Sequence, residues 1–396
     1  MDRCLRILWL HPHFLNWMGG HQYIYEIINR LNKRYGCRIT LVAGAFSDSS
    51  KRKFRRIGIE NRELLGFSTN NPIYWLFLPF FLKKELNILK KEAEDFDLII
   101  SSMFPMNVLA AGLGKKTIQL CYEPYAFFHD PNFIAGFSFS KRFFIRIMAK
   151  LYSSLDIKAT REASRILTLS EYNRDWIGKI YGRNDTVVVF EGVDADFFKP
   201  KHDPSLWKRY KNYEVIFHST DFTAIKGTPY LIRAIHELVK ETPNVRLLIT
   251  NTLENEKEKE KIVNLAKNLG ILKNIEFLGF LKKERLPYYY TLAKIVVQPS
   301  IRQSMNLSVK EAMACETPVI TSPEGKEQTK EGEAGFLVDP WDTSKLAKKI
   351  AELIRNPNVA KKMGKRGRRI VLEKFSWDSV VERFWKVIRE VQDKKT

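Results

Sequence analysis

Cysteine is scarce in this chain of 396 residues, and no apolar run is long. The four cysteines, Cys4, Cys37, Cys121 and Cys315, show no CxxC spacing and no paired framework. That excludes a disulfide scaffold and a zinc finger or ribbon, and three of them sit in or beside apolar runs, as reduced core residues of a cytosolic protein do. The most hydrophobic segment, residues 73–82, has ten residues, well short of the roughly 20 that a helix needs to cross a bilayer. Residues 5–10 are too few for a signal-peptide core and end at His11-Pro12, so they predict a first buried strand rather than an export signal. Acidic charge is also short, with 45 Asp and Glu against 66 Lys and Arg, a net charge of +21. Such a molecule attracts phosphate, whether on a small substrate, a nucleic acid or an anionic lipid surface. No zinc-finger, RRM or helix-turn-helix signature accompanies the charge, and the basic residues are scattered, so a nucleic-acid-binding protein is the weaker reading. No internal repeat or low-complexity tract is present.

What remains is alternation. Apolar runs of strand length occur at residues 5–10, 39–43, 98–100, 117–120, 166–169 and 187–190, with helical spacing between them, as at Ile24, Ile27, Ile28 and Leu31. Runs of this kind predict a parallel sheet built from βαβ units. The polar segment 199–213 carries Pro200 and Pro204 and is the expected linker. Beyond it the alternation resumes, with strands expected at residues 215–217, 245–249, 275–278, 295–297, 317–320 and 335–338, and helices at 230–239 and 346–354. The Glu and Lys run at 254–261 is the solvated face of a helix. A last helix over 376–392 carries Val380, Phe384, Val387, Ile388 and Val391 on one face behind a Ser376 N-cap, and that face needs an apolar surface to cover. The expected fold class is therefore α/β, with two domains, residues 1–198 and 199–375, each built on a parallel sheet, and a final helical segment, 376–396, that needs a surface to cover.

The most informative string runs from Val297-Gln-Pro-Ser300 through a polar loop, 301–306, to Leu307-Ser-Val-Lys-Glu311-Ala-Met-Ala and Pro318-Val-Ile320. A buried strand, a loop and a helix start expose unpaired backbone N–H groups at the positive end of a helix dipole, a place suited to a diphosphate. A carboxylate one turn in, Glu311, can reach the two hydroxyls of a ribose; equally, Ser308 and Glu311 have the spacing of a capping box. The whole string resembles the signature of retaining, family 4 glycosyltransferases of the GT-B fold. The resemblance extends to Gly19-Gly20, Ser170-Glu171, Gly192-Val-Asp194, Lys226-Gly227, Leu278-Gly279 and Gly335-Phe-Leu-Val338. It implies two Rossmann-like domains facing each other across a cleft, with the acceptor on the N-terminal domain, the nucleotide sugar on the C-terminal one, and the C-terminal helix crossing back onto the first. It also implies that Lys226 and Gly227 contact the donor diphosphate, that Glu311 holds the ribose, and that the backbone of Ser304, Met305, Asn306 and Leu307 cradles phosphate. Gly19 and Gly20 would let the first loop approach a ligand closely.

Three departures from that pattern bear on chemistry. The family's glutamate near the sugar is Gln303 here, an amide that bonds hydroxyls but carries no charge beside a developing oxocarbenium ion. Its arginine ahead of the lysine is Asp221, with Arg302 a candidate substitute cation. Where the family places a histidine in the N-terminal domain this chain has Tyr122, with His129 seven residues on; Tyr122, His129 and Gln303 are the candidate catalytic residues. The implied reaction moves a hexose from a UDP- or GDP-linked donor to an acceptor hydroxyl with retention, without metal or other cofactor; a catalytically degenerate nucleotide-sugar-binding protein is the alternative. Residues 125–146 interleave seven phenylalanines with Lys141, Arg142 and Arg146, and residues 73–84 pair an apolar stretch with two lysines. Such segments suit an anionic membrane surface, hence a glycan, lipid-linked or lipid acceptor and a cytoplasmic protein peripheral at the inner face of the membrane.

Overall fold

The computed structural model describes residues 4–64, 72–135, 137–301 and 306–393. The chain forms two α/β units, one comprising Met1–Phe190 with Val380–Thr396 and the other Glu191–Ser379. In the first unit, β1 (Arg6–His11), β2 (Arg38–Ala43), β3 (Glu60–Glu63), β4 (Leu98–Ser102), β5 (Thr117–Leu120), β6 (Arg165–Thr168) and β7 (Val187–Val188) form one sheet. Their order is β3-β2-β1-β4-β5-β6-β7. In the second, β8 (Glu214–Thr220), β9 (Val245–Asn251), β10 (Ile275–Phe280), β11 (Ile295–Gln298), β12 (Val319–Thr321) and β13 (Gly335–Leu337) follow the order β10-β9-β8-β11-β12-β13. All these pairings are parallel, and helices connect the strands. Both units are Rossmann-like, each reversing its strand order once, beside its first strand.

The strands read as apolar runs because a parallel sheet is covered on both faces. In the second unit Ile216, Leu247 and Val297 meet Leu231, Ile235, Leu346 and Ile350 from the helices, all but fully buried. Each such side chain contributes about 1.5–3 kcal/mol through burial. The last helix, Trp377–Asp393, spends its apolar face on the first unit: Phe384 stacks on Trp9 at 5.9 Å and Trp385 on Tyr35 at 4.5 Å. Gln392 Nε2 donates to the Asp97 carbonyl at 3.1 Å, and Ser376 Oγ accepts from Ser379 N at 3.2 Å as a cap.

The segment 199–213 is not an open linker. Its Pro204 opens a helix, Pro204–Tyr210, where a missing N–H costs nothing, and Asp203 caps that helix by accepting from Ser205 N at 3.0 Å. The segment belongs to the second unit, which begins at Glu191. Strand β3 has no apolar run at all; its sequence, Glu-Asn-Arg-Glu, suits the edge of the sheet. Cys37, Cys121 and Cys315 are buried and Cys4 is exposed, all as free thiols. Among the described residues no helix is long and apolar enough to cross a membrane.

Candidate functional site

In open α/β sheets ligands bind beyond the carboxyl ends of the strands, where the strand order reverses. In the second unit that place lies between β8 and β11. Strand β8 runs into a short turn, Ala224–Lys226, closed by Gly227, and β11 into Pro299, Ser300 and Ile301. The two segments are joined where Ile301 N donates to the Ile225 carbonyl at 2.7 Å. Gly227 has φ +67°, and a β-carbon there would lie 1.9 Å from the Pro299 carbonyl oxygen. Only glycine meets both conditions, so the Lys226-Gly227 pair is fixed against the Pro299–Ile301 loop by contact as well as by backbone conformation.

Behind the turn a buried chain of hydrogen bonds ties the strands to the following helix. The Val297 carbonyl can only accept, so His218 donates to it through Nδ1 at 2.8 Å, and Nε2 then accepts from Thr228 Oγ1 at 2.9 Å. Thr220 Oγ1 lies 2.9 Å from Thr228 Oγ1 and accepts from Phe222 N at 2.9 Å. Burial pushes the His218 imidazole down to about 4, which keeps it neutral and the chain in one sense.

The helix Leu307–Ala314 begins at Asn306, whose side chain accepts from Ser308 N at 3.1 Å. Asn306 is itself clamped by Gln328, which accepts from its N–H at 3.2 Å and donates to its carbonyl at 3.3 Å. The capping box expected at Ser308 and Glu311 does not form, because Asn306 takes the cap two residues earlier. Glu311, buried in the helix, instead accepts from the Tyr290 hydroxyl at 2.8 Å. Burial pushes its carboxyl up to about 7, with the Tyr290 bond acting in the opposite direction. Next to it, the fully buried Lys310 reaches Glu191, at 2.9 Å from the carboxylate and 3.0 Å from the carbonyl. Lys226, Gly227, Asn306 and Leu307 thus belong to one end of one sheet, and Glu311 lies one turn into the helix that starts there. Arg302, Gln303, Ser304 and Met305 lie outside the described residues. Asp221 stays in its own turn, accepting from Thr223 N at 2.9 Å and Thr223 Oγ1 at 2.6 Å.

The equivalent place in the first unit lies beyond β1 and β4, and there a cavity of about 690 Å³ opens. His11 and His13 reach it from the end of β1, Met103 and Phe104 from the end of β4, Gly20 and His21 from the helix Gly19–Tyr35, and Tyr122 from beyond β5. Tyr122 donates its hydroxyl to the Gly20 carbonyl at 3.0 Å. A β-carbon on Gly20 would touch the Tyr122 ring at an ordinary 3.5 Å, and one on Gly19 would meet nothing within 4 Å, so packing demands neither glycine. His129 is not brought to this cavity. Its Nε2 lies 2.9 Å from Asp156 Oδ2, in a buried set where Tyr181 Oη donates to the same oxygen at 2.8 Å and Asn107 Nδ2 to Oδ1 at 2.7 Å. Sequence reasoning passed over His218, Tyr290, Lys310 and Gln328, and in the first unit His11, His13 and His21. His11 and His13 read as His-Pro-His at the end of the first strand, which is the one available signal. Among the described residues no group of three or more His, Cys, Asp or Glu side chains could hold a metal ion.

A family model described as glycosyl transferases group 1 matches residues 201–370, and one described as glycosyltransferase family 4 matches residues 17–197. The chain is 31% identical over 196 residues to an MMP alpha-(1->4)-mannosyltransferase of Mycolicibacterium hassiacum, covering 49% of this chain and 45% of that protein. It is 26% identical over 230 residues to a GDP-mannose-dependent phosphatidylinositol monomannoside mannosyltransferase of Mycolicibacterium smegmatis, covering 54% and 59%. The chain thus spans about half the length of these curated relatives. Among solved structures, a glycosyltransferase from Rickettsia africae has the same fold at TM-score 0.78 and 18% identity, covering 99% of this chain and 100% of that one. Alr3699/HepE of Anabaena, solved in complex with UDP, does so at TM-score 0.73 and 19% identity, covering 98% and 100%.

Proposed function

Because the chain belongs to the family 4, group 1 glycosyltransferases and has their two-unit GT-B fold, we propose that it is a metal-independent hexosyltransferase. It moves a sugar from a UDP- or GDP-linked donor to an acceptor hydroxyl, with retention at the anomeric carbon. The observation that carries this reading is the buried Glu311 carboxylate, held by Tyr290 on a helix whose start belongs to the same sheet end as the Lys226-Gly227 turn. A carboxylate held away from the helix start is available to two ribose hydroxyls. Helix N–H groups and the Lys226 ammonium stabilise the charge that develops on the leaving diphosphate. Binding of UDP- and GDP-sugars, by calorimetry, to the intact chain and to Glu311→Ala tests it. Donor affinity is expected to fall at least tenfold in the variant, and unchanged affinity would return Glu311 to a structural role. Binding without turnover in EDTA, across acceptors, would instead favour a degenerate protein.

An acceptor at an anionic membrane surface is supported by the helix Phe139–Glu162. Phe139, Phe143, Ile147, Leu151 and Leu155 follow one another at every fourth position, and all are exposed, Phe139 to 77%. Residues four apart form a ridge over successive helical turns. Within residues 139–155 the same helix has Lys141, Arg142, Arg146 and Lys150 and no acidic residue. A second exposed apolar group, Ile73, Leu76, Phe77 and Phe80, adjoins it where Tyr152 donates to the Trp75 carbonyl at 3.0 Å. Basic residues near an anionic leaflet contribute about 1 kcal/mol each, so an apolar ridge flanked by cations suits that surface. Flotation with phosphatidylserine vesicles at low salt tests the assignment. Phe143→Glu with Leu151→Glu is expected to abolish flotation, and an intact protein that stays in the soluble fraction would refute it.

A further inference from the structure

The cavity of the first unit differs in chemistry from the site of the second. Its wall is aromatic and aliphatic: Trp75, Phe104, Tyr125, Phe128, Phe144 and Met148 all line it. The rings brace one another, with centroids 5.9 Å apart for Trp75 and Phe104, 5.1 Å for Phe104 and Phe128, and 4.8 Å for Tyr125 and Phe128. Rings packed in this way keep the cavity open without a ligand. At about 690 Å³ it falls within the roughly 300–1,000 Å³ range of small-molecule sites.

One end of the cavity is polar. His11, His13 and His21 gather there, with ring centroids 5.3 Å apart for His11 and His21 and 5.8 Å for His13 and His21. His21 is engaged, its Nδ1 accepting from Met18 N at 3.2 Å. His11 is only 3% exposed, yet its Nδ1 and that of His13 are buried with no hydrogen-bond partner among the described residues. Those two nitrogens are closed off from the cavity space, so a ligand hydroxyl meets the other edges of the His11 and His13 rings that line it. Burial lowers all three imidazoles from the ordinary 6.5, His11 well below it, and their mutual proximity lowers His11 and His13 further. At neutral pH the rings are therefore uncharged, each with one donor and one acceptor, and suited to hydroxyls more than to a phosphate. The one lysine on the cavity, Lys141, sits with its ammonium 4.0 Å from the Phe137 ring centroid.

We propose that this cavity is an amphiphile-binding site in which the aromatic wall takes an apolar chain or ring and His11 and His13 take the hydroxyls of an uncharged head. Its function as the acceptor site rests on the glycosyltransferase reading; binding of the amphiphile does not. The helix Phe139–Glu162 contributes Phe144, Ile145 and Met148 to the wall and carries the exposed apolar ridge, so a lipid-surface ligand is the natural source.

Calorimetry on the full chain, with octyl glucoside below its micellar concentration, methyl glucoside and octyl sulfate, tests the two halves of the site. Octyl glucoside is expected to bind at least tenfold more tightly than either of the others. His11→Leu should weaken octyl glucoside at least fivefold while leaving octyl sulfate within twofold, and Met148→Lys should weaken both. Equal binding of methyl and octyl glucoside would overturn the apolar wall, and equal loss of both octyl ligands in His11→Leu would overturn the imidazole head site. No binding of octyl glucoside by a protein that still binds a nucleotide sugar would sink this proposal and leave the glycosyltransferase reading standing. Amphiphile binding with no nucleotide binding would do the reverse. The ligand series on the unmodified chain decides even where a variant fails to fold.

Discussion

Replacing Tyr290 by Phe removes one oxygen from the interior and tests what Glu311 is for. The Tyr290 hydroxyl donates to Glu311 Oε2 at 2.8 Å, and the carboxyl lies at about 7 because burial raises it while this bond holds it back. A hydrogen bond to a charged group is worth about 1.5–3 kcal/mol, and each pH unit corresponds to about 1.4 kcal/mol, so its loss should raise Glu311 by roughly one to two pH units. If ribose hydroxyls bind the ionised form, donor affinity in the wild type rises as pH increases through about 7. In the variant that midpoint moves to roughly 8–9. At pH 7 the ionised share then falls from about a half to between roughly a tenth and a hundredth, and affinity falls about 5- to 50-fold. It recovers above about pH 9.5. Calorimetry with the donor's nucleoside diphosphate over this range measures the effect. Glu311→Gln supplies the baseline, since titration of the phosphates themselves persists there, and His218, pushed down to about 4, stays neutral throughout. An unmoved midpoint, or a loss that alkaline pH does not reverse, would refute the assignment of Glu311 to the ribose.

Gly227→Ala should be costlier than a change of backbone conformation alone, because its β-carbon meets the Pro299 carbonyl oxygen at 1.9 Å. Gly279→Ala is the control, with φ +70° but nothing nearer than 3.9 Å, and should cost about 1–2 kcal/mol in thermal melts. Gly227→Ala should cost clearly more and weaken donor binding at least tenfold; equal costs would show that the loop yields freely. In the first unit, Glu85 is 1% exposed and burial raises its carboxyl from 4.5 to about 7. Its contribution to stability is fully present below pH 4.5 and is lost as pH rises through about 7, a change of about 3 kcal/mol. Glu85→Gln should therefore gain on the wild type by that order between pH 4.5 and 8 in urea titrations, and a pH-independent difference would contradict the burial argument.

The sheets were legible in the sequence to the extent that their strands are buried on both faces. Ile295-Val-Val297 and Val245-Arg-Leu-Leu-Ile249 pack between helices and show as apolar runs. β3 does not, because none of its residues Glu60, Asn61, Arg62 and Glu63 is buried, so neither face needs an apolar side chain. Pro204 misled in the other direction: prolines in a polar stretch suggest a linker, yet the first turn of a helix tolerates proline because its N–H has no intrahelical acceptor. Within the second unit, Lys226-Gly227 and Glu311 were visible as motif residues. Tyr290 was not, since it lies 21 residues before its carboxylate in a run of tyrosines, and only tertiary packing brings the hydroxyl to Glu311. His218 is hidden for a similar reason, as a polar residue in a buried strand whose partners Val297 and Thr228 come from two other elements.

The two units show why topology alone could not supply the chemistry. Both have the same relative strand order and therefore reverse at the same point, between β1 and β4 in one and between β8 and β11 in the other. That symmetry fixes where a ligand can sit but is silent on which ligand. In the second unit the strand ends carry a glycine turn and a lysine, and the helix that follows carries a buried carboxylate one turn in, the groups proposed for phosphate and ribose. In the first they carry Met103 and Phe104 opposite His11 and His13, and the nearby helices add aromatic rings. The His-Pro-His string could be read from the sequence, but its meaning depends on residues some ninety positions later arriving across one sheet register, Leu10 against Ser101. A phosphate placed among uncharged imidazoles and phenyl rings would gain no counter-charge from them, whereas the Lys226-Gly227 turn carries an ammonium. The proposed division, nucleotide on the second unit and apolar ligand on the first, thus rests on side chains carried by two copies of one framework.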